Sequence, residues 1–178
     1  MKLKVSLVFL ALAAVFVYFM LKGNYFTSQK IEKMATQSYT SDAILKQILS
    51  LDLRDYQGNK FVLDDSALRK SKNVVVHLWA SWCGPCVGEV PELIEFSKKN
   101  PDVSIVVVSL DDYQDDIEKF MKSFPEFNSG RFSKIWDNSK VISKYLDADR
   151  LPMTVILTRD RQEPQMIKSV VDWKHIKI

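Results

Sequence analysis

The CGPC motif at residues 83–86 holds both cysteines of this 178-residue chain, and its surroundings constrain the fold more than any other feature. It follows the run NVVVHLW (73–79), whose β-branched residues are typical of a strand buried on both faces of a sheet. Apolar residues then recur with helical spacing as far as Lys99, and Asn100-Pro101 predicts the end of that helix. The motif is therefore predicted to lie between a buried strand and a helix.

Strands and helices alternate through the rest of the chain, which predicts one α/β domain with a central mixed sheet flanked by helices. A short amphipathic helix capped by Ser41 and a hairpin turning at residues 57–59 precede the sheet. A helix capped by Asn138 is expected in the later part of the domain. The later segments are, in order, the strand VSIVVVSL (103–110), the helix DDYQDDIEKFMKSF (111–124), the strand FSKIWD (132–137), the helix NSKVISKYL (138–146), and the strands MTVIL (153–157) and QMIKSVV (165–171).

The N-terminus is predicted to meet a membrane. Seventeen residues between Lys4 and Lys22 include only one clearly polar side chain, which is at the short end of a bilayer-spanning helix. A cleaved signal is the alternative, but the end of the run lacks an A-x-A cleavage pattern, so we favour an anchor. We expect a signal-anchor at 1–22, a tether at 23–40 and a domain at 41–178, exported because the leading tail is very short.

Composition narrows the partners. With 47% hydrophobic and 26% charged residues, the chain has the balance of a globular protein. Its net charge of +3 comes from mixed charges without a long basic run, so nucleic acid is not expected as a partner.

Three kinds of chemistry could use the cysteine pair. A zinc site lacks ligands, since His77 and His175 are almost a hundred residues apart. A structural disulfide across so short a loop would remove little entropy from the unfolded chain. Electron exchange fits better, because a helix N-terminus stabilises the thiolate of Cys83 as the nucleophile, and Cys86 lies one turn further on as the resolving residue.

The two residues between the cysteines suit the same chemistry. Gly84 lets a partner approach closely, and Pro85 has a helical φ in the first turn, where its missing N–H costs nothing. No metal or cofactor is expected beyond the redox-active cysteines themselves.

The segment WASWCGPCVGEVP (79–91) resembles the active site of the thioredoxin superfamily, specifically of the membrane-tethered TlpA/ResA/CcmG-like branch. In that branch a glutamate and a proline recur after the second cysteine, here Glu89 and Pro91. The resemblance extends from about residue 49 to 158. It implies a thioredoxin-like fold with an N-terminal hairpin extension, and a cis proline at Pro152 beside the cysteines, where the Leu151 backbone would pair with a substrate.

The resemblance also implies a role in the cell. This branch mostly reduces disulfides in partner proteins, often in apocytochrome c, on the outer side of the bacterial cytoplasmic membrane. An exported reductant needs an electron donor in the membrane, here of the DsbD/CcdA type. The alternatives are a disulfide oxidase or isomerase, and a redox-inert binding module with the same fold.

Several residues near the motif have two interpretations. His77 stands where the superfamily usually has Asp or Asn; it either pairs with a polar neighbour in its strand or exchanges a proton with Cys86. Glu89 is either a solvated carboxylate in the first helical turn or a charge that raises the pKa of Cys86. Trp79 is expected in the core and Trp82 on the docking surface. Thioredoxin-like folds place a last helix over the sheet, but VVDWKHIKI (170–178) leaves little length for it, and we expect Trp173 and Ile176 to cover that face with about one helical turn.

Overall fold

The computed structural model describes Tyr18, residues 40–159 and residues 163–178. The expected anchor and tether therefore lie outside the described residues, except for Tyr18 and Thr40. Within the part of the chain that is described, no helix is both long and apolar enough to cross a membrane.

A five-stranded mixed sheet forms the centre of the domain, and a separate two-stranded hairpin precedes it. The strands are β1 (Leu53–Arg54), β2 (Lys60–Phe61), β3 (Asn73–Trp79), β4 (Ser104–Ser109), β5 (Phe132–Trp136), β6 (Met153–Thr158) and β7 (Gln165–Ile167). The sheet has the strand order β5-β4-β3-β6-β7, and β1 pairs with β2 in the hairpin. The helices are α1 (Ser41–Leu49), α2 (Asp65–Lys70), α3 (Gly84–Lys99), α4 (Gln114–Ser123) and α5 (Val141–Tyr145), with a 3-10 turn at Pro125–Asn128. This is the α/β arrangement predicted from the sequence, with α2 as an addition.

Strand β3 is the central strand, and all seven of its residues are buried. It pairs in parallel with β4 and antiparallel with β6. Successive side chains point to opposite faces, so Val75 and Trp79 join one core cluster while Val74 and Val76 join the other. Its apolar run follows from burial on both faces, and the C-terminal end of β3 delivers the cysteines to one edge of the sheet.

Both predicted helix caps are wrong. The side chain of Thr40, not Ser41, caps α1 by accepting a hydrogen bond from the Ala43 amide at 3.1 Å. Asn138 does not cap α5 either. The buried Asp137 carboxylate, which directly follows β5, accepts instead from three amides in the first turn of that helix, those of Val141, Ile142 and Ser143.

After β7 the chain continues as an extended segment with a turn at residues 173–175, which we call the C-terminal strap (residues 168–178). Its Val171 and Trp173 are buried in the same core cluster as the cysteines. Two apolar side chains thus cover the face of the sheet that the expected short helix was to cover.

Candidate functional site

Cys83 and Cys86 lie at the start of α3 and are joined by a disulfide. Cys83 is the N-cap residue of the helix, and its sulfur accepts a hydrogen bond from the Cys86 amide at 3.3 Å. Cys83 is 6% exposed and Cys86 is fully buried. In the reduced protein the same amide and the positive helix end favour a thiolate on Cys83, the more accessible sulfur. A Cβ at Gly84 would meet no atom within 4 Å, so the approach to the motif is open there.

The loop before Cys83 is held by Asp111, which sequence reasoning missed. The Asp111 carboxylate is completely buried just beyond β4 and accepts hydrogen bonds from the Ser81 amide, at 3.1 Å to each oxygen. The Ser81 and Ser109 hydroxyls also donate to it, each at 2.7 Å. In the sequence, the first aspartate of DDYQDD is only a weak indication of a buried carboxylate. The parallel pairing of β3 and β4 brings this residue to the loop before Cys83.

Replacing Asp111 with asparagine should therefore destabilise the domain. The amide keeps the shape but turns two hydrogen-bond donors toward groups that themselves donate, and we expect the free energy of unfolding to fall by about 2 kcal/mol. Urea denaturation measures this. The matched control is Asp112→Asn, since the Asp112 side chain is 73% exposed and forms an ion pair with Lys140 at the surface. Equal urea midpoints for the two variants would contradict a stabilising role for the Asp111 hydrogen bonds.

The two tryptophans around the motif occupy different environments, as predicted. Trp79 is buried, packs on Phe120 with ring centroids 4.3 Å apart, and donates its indole N–H to the Tyr56 hydroxyl at 2.9 Å. Tyr56 lies in the turn of the β1-β2 hairpin, so the hairpin contacts the end of β3 just before the cysteines. Trp82 is 66% exposed beside Cys83 and is available to a docking partner.

The Leu151-Pro152 peptide bond is cis, as the resemblance implies. Because Leu78 of β3 pairs with Met153 of β6, this bond lies at the same edge of the sheet as the cysteines. Lys168 ties the preceding loop to the C-terminal strap by donating to the Asp147 carbonyl at 2.6 Å and by an ion pair with Asp149 at 3.0 Å. The hydrogen bond from Lys168 lowers the pKa of Asp149 to about 2.

His77 is buried in β3 with Nδ1 3.0 Å from the Thr154 hydroxyl, which is the polar neighbour that one of its two interpretations requires. Burial lowers the pKa of His77 to about 4, because loss of water disfavours the charged imidazolium. The imidazole is therefore neutral in the folded protein at neutral pH. Its proton exchange with Cys86 stays a prediction.

Glu89 is 3% exposed, so the solvated-carboxylate interpretation is wrong. Its Oε1 accepts hydrogen bonds from the Val171 amide at 2.6 Å and from the Trp173 indole N–H at 3.2 Å. Burial raises the pKa of Glu89, the two donors oppose that rise, and the nearby Glu92 charge adds to it. The residue lies one helical turn beyond Cys86, which keeps its second interpretation open.

The buried strand, the cysteine pair at a helix N-terminus and the adjacent cis proline define a protein that exchanges thiols and disulfides. Among the residues described, no group of three or more His, Cys, Asp or Glu side chains could hold a metal ion. A family model described as thioredoxin-like matches residues 71–163, and the chain belongs to that family.

Known proteins are similar to this chain over much of its length. The chain is 29% identical over 150 residues to the thiol-disulfide oxidoreductase ResA of Bacillus thuringiensis subsp. konkukian, covering 84% of this chain and 78% of ResA. It is 33% identical over 85 residues to a thioredoxin of Geodia cydonium, covering 46% and 74% of the two chains. The predicted resemblance to the ResA-like branch is confirmed, and the protein is a thiol-disulfide oxidoreductase.

A solved structure shares the fold. A secreted Mycobacterium tuberculosis disulfide oxidoreductase homologous to E. coli DsbE matches with a TM-score of 0.59. The match covers 72% of this chain and 92% of that one at 20% identity, so it shows the common fold.

Proposed function

We propose that this protein reduces disulfides in partner proteins from outside the cytoplasm, held to the membrane by residues 1–22. The observation that carries the proposal is the asymmetry of the cysteine pair. Cys83 at the helix N-terminus is 6% exposed, whereas Cys86, one turn behind it, is fully buried. This is the arrangement that an attacking and a resolving thiol require.

The reaction has two exchange steps. The Cys83 thiolate attacks one sulfur of the substrate disulfide, that disulfide breaks, and its second sulfur leaves as a thiolate that takes up a proton. Cys86 then loses its proton and attacks Cys83, so that the Cys83-Cys86 bond forms and the substrate is released as its second thiolate. The substrate gains two electrons and the protein loses them, so a donor must restore the dithiol.

Substrate binding is assigned to the exposed edge around the cysteines. Leu151 lies at the same edge of the sheet as the cysteines, and an extended substrate segment can pair with its backbone groups as an added strand. Trp82 supplies exposed aromatic surface next to Cys83. Pro152 places no metal-binding side chain near the sulfurs.

The direction and the partners rest on the likeness to ResA and to its branch. We assign the haem-binding cysteines of apocytochrome c as the substrate class and a membrane protein of the DsbD/CcdA type as the electron donor. The apolar N-terminal run supports the anchor. Unchanged mass of the membrane-extracted protein relative to the full chain would agree with an uncleaved anchor, and loss of about the first twenty residues would contradict it.

Two measurements on the full chain in detergent test the function. We expect insulin disulfides to be reduced in the presence of a thiol reagent, and the reduction potential to lie near the roughly −270 mV of thioredoxin. A potential near the roughly −120 mV of a strong oxidant would instead assign disulfide formation. If insulin is not reduced, whatever the measured potential, the redox-inert binding module would be favoured.

A further inference from the structure

The C-terminal strap contacts one side of α3, directly behind the cysteine pair. Its contacts on the helix are Glu89, Glu92 and Phe96, which are three or four positions apart and so share a helix face. The strap residues that make them are, in order, Val171, Lys174 and Trp173. The C-terminal strap therefore packs along one face of α3.

The strap holds the carboxylate of Glu89. Both hydrogen bonds to this carboxylate come from the strap, and both end on Oε1. Oε2 is buried and has no hydrogen-bond partner among the described residues. The two strap donors thus fix the carboxylate through one oxygen and leave the other oxygen free, one helical turn from Cys86.

Trp173 also contacts the second buried titratable group of the site. Its ring meets the His77 imidazole edge-on, with centroids 5.7 Å apart, and packs on Phe96 at 5.2 Å. The Nδ1 atom of His77 also lies 3.0 Å from the Thr154 hydroxyl. A single strap residue therefore contacts both Glu89 and His77.

We propose that Trp173 is a positioning residue for thiol-disulfide exchange, acting through the hydrogen bond from its indole N–H to Glu89. The inference rests on the proposed function. A donor that binds the charged form of a buried carboxylate keeps it ionised to lower pH, against the cost of burial. The ionised Glu89 in turn disfavours a thiolate on Cys86, so the strap sets the pH range in which Cys86 exchanges its proton.

Other charges around Glu89 act on the same equilibrium. Glu92 on α3 disfavours ionisation of Glu89, and Lys174 of the strap, 2.7 Å from Glu92, partly neutralises that effect. His77 on β3 is neutral at neutral pH because burial lowers its pKa. None of these groups is changed when only the indole N–H is removed.

The test is the variant Trp173→Phe, which keeps an aromatic ring but has no donor. We expect the Glu89 carboxyl, followed by 13C NMR in the oxidised full chain, to titrate about one pH unit higher, a tenfold change in its protonation equilibrium. The pH at which the reduction potential changes slope should move in the same direction. The matched control is Phe96→Leu, which loosens the packing around Trp173 without removing a donor and should leave the midpoint in place.

Equal shifts in both variants, or no shift in Trp173→Phe, would overturn the proposal. A measurement on the unaltered protein guards against a variant that does not fold. The Trp173 indole N–H resonance should titrate with the same midpoint as the Glu89 carboxyl, and a resonance that stays fixed through that range contradicts the inference. Failure of the proposed function is distinct, since it appears as absent insulin reduction by the unaltered protein.

Discussion

In Cys83→Ser, insulin reduction is expected to fall to the background rate of the thiol reagent alone. The serine hydroxyl is not ionised at neutral pH and cannot form the mixed disulfide, while the buried Cys86 is not accessible to a protein substrate. In Cys86→Ser, the first exchange step remains and the second is lost. We therefore expect a covalent complex between Cys83 and the substrate to accumulate.

Mass spectrometry under non-reducing conditions distinguishes the two variants. The complex should appear only with Cys86→Ser and should disappear when a reductant is added. The double serine variant controls for thiol-independent binding. If the complex formed instead with Cys83→Ser, the attacking and resolving roles would be reversed.

Acid is expected to destabilise the folded protein through His77. Burial lowers the pKa of His77 to about 4 in the folded state, whereas the ordinary value is 6.5. Between these values the unfolded chain binds a proton that the folded protein excludes, so the free energy of unfolding falls as the pH drops from about 6.5 to 4. Above pH 6.5 this stabilisation is fully present, and its loss at pH 4.5 amounts to about 2 to 3 kcal/mol.

Urea denaturation at pH 7 and pH 4.5 measures this effect, with His77→Asn as the comparison. Asparagine does not titrate, so the variant should lose about 2 to 3 kcal/mol less stability than the unaltered protein over that range. Glu89 acts in the opposite direction, because burial raises its pKa and its protonation on acidification relieves a buried charge. Glu89→Gln should accordingly steepen the acid loss, and identical pH slopes for the unaltered protein and His77→Asn would contradict the assignment to His77.

The local elements of the fold follow from patterns in the chain. The β-branched run before the cysteines predicts β3, helical spacing predicts α3 with its end at Asn100, and the break at Gly58 predicts the hairpin. Each signal depends on neighbours in sequence, because strand and helix periodicities are properties of a short segment. The placement of Cys83 at a helix N-terminus was predictable for the same reason.

Groups that meet only through the sheet were not predictable. Asp111 reaches Ser81 because β3 and β4 pair in parallel, and Asp137 replaces Asn138 as the cap of α5 because β5 ends beneath that helix. Neither residue differs in local sequence from an ordinary surface aspartate. Their carboxylates stabilise the fold because tertiary packing buries them beside several hydrogen-bond donors.

The chemistry of the site follows from local sequence: two cysteines, a preceding buried strand and a following helix are enough to indicate thiol-disulfide exchange. The tertiary structure sets the surroundings in which that chemistry operates. It buried Glu89 under the C-terminal strap and set His77 against Trp173, across more than 80 residues of sequence in each case. Ionisation depends on burial and on the donors nearby, and these arise from contacts between distant segments that no local pattern encodes.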